Sequence, residues 1–264
     1  MLKKATCYFV IFIFMLLSTR PVLAYSDTSI FDKTELSKGL LKVNYNANKD
    51  VKMKIMVQKG NNRYFYNLKS QTNIPLQLGN GEYNVALLEN SNANEYVVVK
   101  SEKINLELKN ENDVYLNSVE NINWNKEMNV VKKAQELTKN LKTDDEKIKS
   151  IYDYVVKNIS YDYNKINRID DEYVPDVESI FKSSKGMCYD YSALFAAMLR
   201  SVGVPTKLVK GYKNDIKAYH AWNEVYLNNK WVTIDTTYDS IFNGKKLNYT
   251  MIKNSNDYSV SKEY

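Results

Sequence analysis

Three residues in the last third of the chain have the types and spacing that acyl-transfer chemistry asks for. Cys188 stands in KGMCYDYSALFAAMLRSVG, and His220, the only histidine of the chain, opens HAWNEVYL 32 residues later. Asp235 lies in WVTIDTTY, 15 residues beyond His220. A thiol attacks a carbonyl only as thiolate, and at its ordinary pKa of about 8.5 it is mostly protonated at neutral pH. The first turn of a helix stabilises the anion through unpaired amides and the helix dipole. A neighbouring imidazole takes the proton and later returns it to a leaving group. A carboxylate on the far imidazole nitrogen fixes the tautomer and supports the positive form. Nucleophile, base and orienting acid are thus all present by type.

The elements around them must bring them together. Cys188 starts a segment that reads as an amphipathic helix, with a stripe of Leu194, Phe195, Met198, Leu199 and Val202, a stop at Gly203 and Pro205 beyond. Three strand-like runs come after it: PTKLVKGY, HAWNEVYL and WVTIDTTY. Asn228-Asn229 makes a two-residue turn between the last two. If Leu227 pairs with Lys230, Trp222 falls opposite Asp235, and His220 lies one step along the same face, a diagonal neighbour within side-chain reach. A slip of one residue would undo this. Each residue also has a plain structural explanation: a buried inert thiol, a satisfied strand histidine, an Asp235 that caps a turn before Thr236-Thr237. Their conjunction is what points to chemistry.

The rest of the chain falls into two grammars. From about Asp27 to Leu108 apolar residues alternate, as in VKMKIMVQK (51–59), EYNVALL (82–88) and KINLEL (103–108), with KGNN, Pro75 and GNG between the runs. Short strands at this spacing predict an antiparallel β-sandwich. The piece LGNGEYNVALLE resembles the last-turn-then-strand element of small immunoglobulin-like modules. Tyr64, Phe65 and Tyr66 offer either a binding patch or, more simply, core and edge packing. From about Asn125 the period becomes helical, through Met128, Val131, Leu137 and Leu141. Thr143-Asp144-Asp145-Glu146 then forms a capping box ahead of Ile148, Ile151, Tyr152 and Val155. The expected division is a leader at 1–24, a β-sandwich at 25–118 and an α+β domain at 119–264.

Lys3 and Lys4, the run YFVIFIFMLL and Val22-Leu23-Ala24 have the layout of a secretory signal peptide. The apolar run is short for a membrane span, so no stable span is expected once it is removed. Cleavage after Ala24 leaves 240 of the 264 residues and takes Cys7, so Cys188 becomes an unpartnered thiol in an exported protein. Such a thiol is buried, paired with another molecule, or reactive. Loss of Lys3, Lys4 and Arg20 lowers the net charge from +6 to +3, too little for dedicated nucleic-acid binding.

The motif set resembles the transglutaminase-like superfamily, as a bacterial exported member. G-x-C heads an Ala- and Leu-rich helix ending in GVP, a strand ending in Gly comes next, and then HAWNEVYLNNKWVTIDTTY, all within about Thr143 to Tyr238. The resemblance implies a papain-like core, a cysteine-bearing helix packed on an antiparallel sheet, with Cys188, His220 and Asp235 as its triad. Some members place a tryptophan upstream of the cysteine to hold the oxyanion, and this chain has none between Trp124 and Cys188. Tyr161, 27 residues before Cys188, occupies a comparable place and can donate a hydrogen bond beside the Cys188 amide, or serve core packing. Met187, Tyr189, Tyr219 and Trp222 flank the two leading residues and are expected to line the substrate cleft. No metal site and no cofactor is expected: no calcium loop of the D-x-[DN]-x-[DN]-G kind occurs, and Asp170, Asp171 and Glu172 read as a solvated loop. The function expected is a secreted or cell-surface cysteine enzyme acting on protein or peptide amides, including cell-surface or cell-wall substrates, through a thioester. It either cross-links as a transglutaminase does or hydrolyses as a peptidase or amidase does. The alternative is a catalytically silent surface module that keeps the fold for binding.

Overall fold

Alternation in the first half produces strands, and the change of period near residue 120 produces helices. A computed structural model of the chain describes residues 30–45, 51–68, 72–170 and 172–264. The leader read at 1–24, with Cys7, lies outside the described residues, as does Asp171. The chain divides between Glu107 and Leu108 into two compact units, each with its own core.

Among the described residues the first unit holds seven strands: β1 (Phe31–Asp32), β2 (Leu40–Val43), β3 (Met53–Lys59), β4 (Asn62–Asn67), β5 (Thr72–Pro75), β6 (Gly81–Asn92) and β7 (Glu95–Leu106). They form two antiparallel sheets, ordered β1-β2-β5 and β4-β3-β6-β7. Tyr64 and Tyr66 pair with Val57 and Ile55 and are buried, while Phe65, one step between them, packs on Met56, Ala86, Leu88 and Tyr96. The aromatic triple is therefore split across two sheet faces and serves packing rather than a binding patch.

Residues 108–118, read from sequence as the end of the first half, belong instead to the second unit. Their 3-10 helix, Glu111–Leu116, sets Tyr115 edge-on to Trp231 at 5.2 Å and donates the Tyr115 hydroxyl to Glu263 at 3.1 Å. Helices α1 (Asn129–Thr138) and α2 (Asp144–Asn158) come next. Thr143 Oγ1 accepts from the Glu146 amide at 3.3 Å and the Glu146 carboxylate accepts from the Thr143 amide at 3.0 Å, closing the capping box of α2. After β8 (Ser160–Tyr161), α3 (Val177–Ser183) and β9 (Lys185–Gly186) comes α4 (Cys188–Ser201). This helix reads as amphipathic, yet every residue from Tyr189 to Arg200 is buried. Helices α1, α2 and α3 and the sheet surround it, and Ala193, Ala196 and Ala197 let them approach.

The sheet beside α4 contains β10 (Thr206–Lys213), β11 (Ile216–Leu227), β12 (Lys230–Ile234) and β13 (Tyr258–Glu263), in the order β12-β11-β10-β13, all antiparallel. Strand β13 has no counterpart in the sequence reading. WVTIDTTY, read as one strand, is strand only to Ile234. From Thr236 it becomes α5 (Thr236–Gly244), because the Asp235 carboxylate caps the new helix by accepting from the Tyr238 amide at 3.0 Å. The architecture is α+β, a helix bearing the cysteine packed on an antiparallel sheet. Among the described residues no helix is long and apolar enough to cross a membrane.

Candidate active site

Cys188 is the first residue of α4, partly exposed, and the free cysteine among the described residues. The turn before it is tightly built. A Cβ on Gly186 would sit 2.5 Å from the Asp190 Cβ, so glycine is what lets the Asp190 carboxylate fold back to accept from the Met187 amide at 2.9 Å. Asp190 is fully buried, and it also accepts from the Tyr173 hydroxyl at 2.5 Å and pairs with Lys165 at 2.6 Å. A buried carboxylate with three donors is compensated, and it locks the loop carrying Lys165 and Tyr173 to the start of α4.

The hairpin supplies the other two groups. Asn228 and Asn229 both have positive φ (51° and 63°), the conformation a two-residue turn needs, and Leu227 pairs with Lys230. That register runs on to Asn223 opposite Ile234, which brings His220 and Asp235 into contact just beyond the ladder. His220 Nε2 lies 2.7 Å from Asp235 Oδ2, which leaves Nδ1 as the free ring nitrogen, and Cys188 is near enough to act on the imidazole. Asp235 Oδ2 also accepts from the Tyr258 hydroxyl at 3.2 Å. Burial opposes a charge on His220, but the bond to Asp235 and the negative charges of Asp235 and Cys188 outweigh it and raise the imidazole to about 10. The buried Asn223 joins helix to sheet by donating to the Ser192 carbonyl at 2.9 Å and the Lys207 carbonyl at 3.0 Å.

Tyr161 reaches the site through a short parallel ladder, in which it pairs with Gly186. Burial pushes its phenol up to about 12, and the Cys188 charge adds to this, so Tyr161 stays a protonated donor beside the sulfur. Of the four residues expected to line the cleft, Met187 and Tyr189 are buried beside the nucleophile, and Tyr219 is half exposed with its ring edge-on to Tyr212 at 5.4 Å. Trp222 departs from the expectation. It is 1% exposed, packs with Val209 and Tyr258, and stacks under the imidazole at 6.3 Å. It is core support for His220, because its indole faces the layer closed by β13. Sequence reasoning missed Asp190, Tyr258 and Lys210, whose ammonium sits over the Tyr189 ring and feels the Cys188 charge. The alternation in YSVSKE was a usable signal for Tyr258, whereas Asp190 and Lys210 had no local mark.

A thiol at a helix start, held against an imidazole that a buried carboxylate orients, defines a papain-like core. Residues 131–236 match the family model of the transglutaminase-like superfamily. Human kyphoscoliosis peptidase is 28% identical over 117 residues, covering 40% of this chain and 18% of its own length. A UPF0252 protein of Methanocaldococcus jannaschii is 34% identical over 118 residues, covering 40% of this chain and 33% of its own. The match thus spans a third or less of these two relatives. Among solved structures, a candidate cysteine protease of Cytophaga hutchinsonii is similar with a TM-score of 0.44 and 15% identity, over 85% of this chain and 83% of that one.

Proposed function

We propose that this protein is an exported cysteine enzyme that cleaves protein or peptide amide bonds through a thioester on Cys188. The observation that carries the reading is the convergence of the three groups, with His220 between the Cys188 sulfur and a fully buried Asp235. His220 Nδ1 takes the thiol proton, and the sulfur attacks the amide carbon. The Tyr161 hydroxyl and the Cys188 amide donate to the oxyanion. Collapse breaks the C–N bond, and the imidazolium gives its proton to the departing amine. Water or a primary amine, deprotonated by His220, then attacks the thioester, and the sulfur leaves as thiolate. Asp235 holds the imidazole throughout. Two relatives carry the name peptidase, which makes hydrolysis the first outcome to test. Export rests on the sequence of residues 1–24.

The test is a screen of peptide amides for released ammonia or amine, with and without added primary amines, on the parent protein and on Cys188→Ala. Parallel labelling with iodoacetamide at pH 6 reads the thiol itself. Turnover lost in Cys188→Ala, with rapid labelling of the parent, supports the reading. Slow labelling without turnover on any amide would leave a silent binding module.

A further inference from the structure

We propose that Lys210 is a specificity-determining residue of this site, the fixed cation that receives a carboxylate of the acyl donor, so that the preferred substrate is an amide flanked by an acidic group. The proposal rests on the thioester reading of Cys188.

Three lysines stand three residues apart on β10, and their surroundings differ. Lys207 lies over the rings of Tyr115 and Trp231 and has two acids, Glu263 at 2.8 Å and Glu224 at 3.7 Å. Lys213 lies over Tyr238 and pairs with Asp215. Lys210, between them, has an aromatic seat only: its ammonium is 3.4 Å from the centre of the Tyr189 ring and 5.5 Å from that of Tyr264. Among the described residues no carboxylate pairs with it, and what acts on it is burial and the Cys188 sulfur. Its ladder neighbours are Ala221 and another cation, Lys262. Asp190, two residues beyond Cys188, is taken up by Lys165, Tyr173 and the Met187 amide. Burial brings the Lys210 ammonium down to about 8, the direction expected of a cation short of both water and acid.

A desolvated cation without a counter-charge is costly, and such groups collect where a ligand completes them. In its thiolate form Cys188 is the charged group that acts on Lys210. As the S–C bond forms and the C–N bond breaks, the amine leaves with the proton from His220 and the sulfur becomes a neutral thioester. Lys210 loses its counter-charge at that step. A carboxylate on the bound acyl group replaces it, and a neutral acyl group does not. Interaction that appears as the acyl group moves onto sulfur favours the acidic substrate in the transition state. The Tyr189 ring, fixed in the first turn of α4, keeps the ammonium in place for this.

The experiment compares two alkylating reagents on the full-length protein at pH 7, with Cys188 labelling read by mass. Iodoacetate brings a carboxylate to the sulfur, and iodoacetamide is its neutral counterpart. The ratio of their rates reports the charge at the sulfur without any need for turnover. Lys210→Met should lower the ratio by about tenfold, the effect of one partly screened unit charge a few ångströms away. Lys210→Arg should retain it. Lys210→Gln serves as a second neutral variant, and the tryptophan melting curve checks that each variant is folded. A ratio unchanged in the folded neutral variants overturns the proposal and leaves the thioester reading intact. Failure of both reagents to label Cys188 in the parent protein removes both.

Discussion

Asp235→Asn removes one charge from the centre of the site and almost nothing else. The native carboxylate is fully buried and takes three donors: the Tyr238 amide at 3.0 Å, His220 Nε2 at 2.7 Å and the Tyr258 hydroxyl at 3.2 Å. Asparagine keeps an oxygen for the helix cap and loses the anion opposite the imidazole. In the native protein the imidazole is raised from 6.5 to about 10. A group raised on folding contributes stability that is complete below its unfolded value and is lost as pH rises through its folded value. The window is therefore from about 6.5 to about 10. A displacement of that size is worth about 5 kcal/mol if it belongs to the imidazole alone, and sharing it with the Cys188 proton leaves roughly 2 kcal/mol. For a unit of this length that is about 4–8 °C of melting temperature. Trp124, Trp222 and Trp231 all lie beyond Leu108, so tryptophan emission reports on the second unit within the whole chain. Melting at pH 6 and pH 10 should show the parent protein losing about 2 kcal/mol more between the two than Asp235→Asn does. Equal losses in the two proteins would refute the assigned role of the Asp235 charge.

Three further outcomes are expected. Tyr161→Phe keeps the ring on Tyr163, 4.8 Å away, and removes the donor, so turnover on any accepted amide should fall about a hundredfold while Cys188 labelling is unchanged; undiminished turnover excludes Tyr161 from the oxyanion site. Gly211→Ala puts a Cβ onto the Ser259 carbonyl and 2.9 Å from the Trp222 ring, both rigidly held, and should cost about 3 kcal/mol in urea unfolding. Arg200→Met takes a buried guanidinium from three carbonyls, those of Thr206 (2.8 Å), Asn117 (2.8 Å) and Tyr264 (2.9 Å), and should also cost about 3 kcal/mol, with Arg200→Lys recovering only part of it. A urea midpoint for Arg200→Met equal to that of the parent would show that these bonds are replaced by water.

The residues of the site were legible where the determining interaction is local. A thiol ahead of an apolar helical run and a histidine near a two-asparagine turn can be read from neighbours in sequence. The turn sets the register, and the register carries His220 to Asp235. The same holds for the capping box at Thr143 and Glu146, whose partners are three residues apart, and for the change of period that separates strands from helices. What lay beyond the sequence depends on segments that meet only in the folded chain. Helix α4 shows one apolar stripe, but its full burial requires four other helices and a sheet around it. Trp222 looked like a cleft wall because it flanks His220; β13, contributed by residues far along the chain, closes over it and makes it core. Alternation in TKLVKGYK puts Lys207 and Lys213 on one face and Lys210 on the other, but it does not say which of them has an acid beside it. Asp215, two residues on, is a local partner for Lys213, whereas the acids of Lys207, Glu224 and Glu263, are brought from other strands. Side-chain type and local register belong to the sequence, because they act over a few bonds. Burial and charge compensation belong to the tertiary structure, because both depend on what distant segments place within a few ångströms.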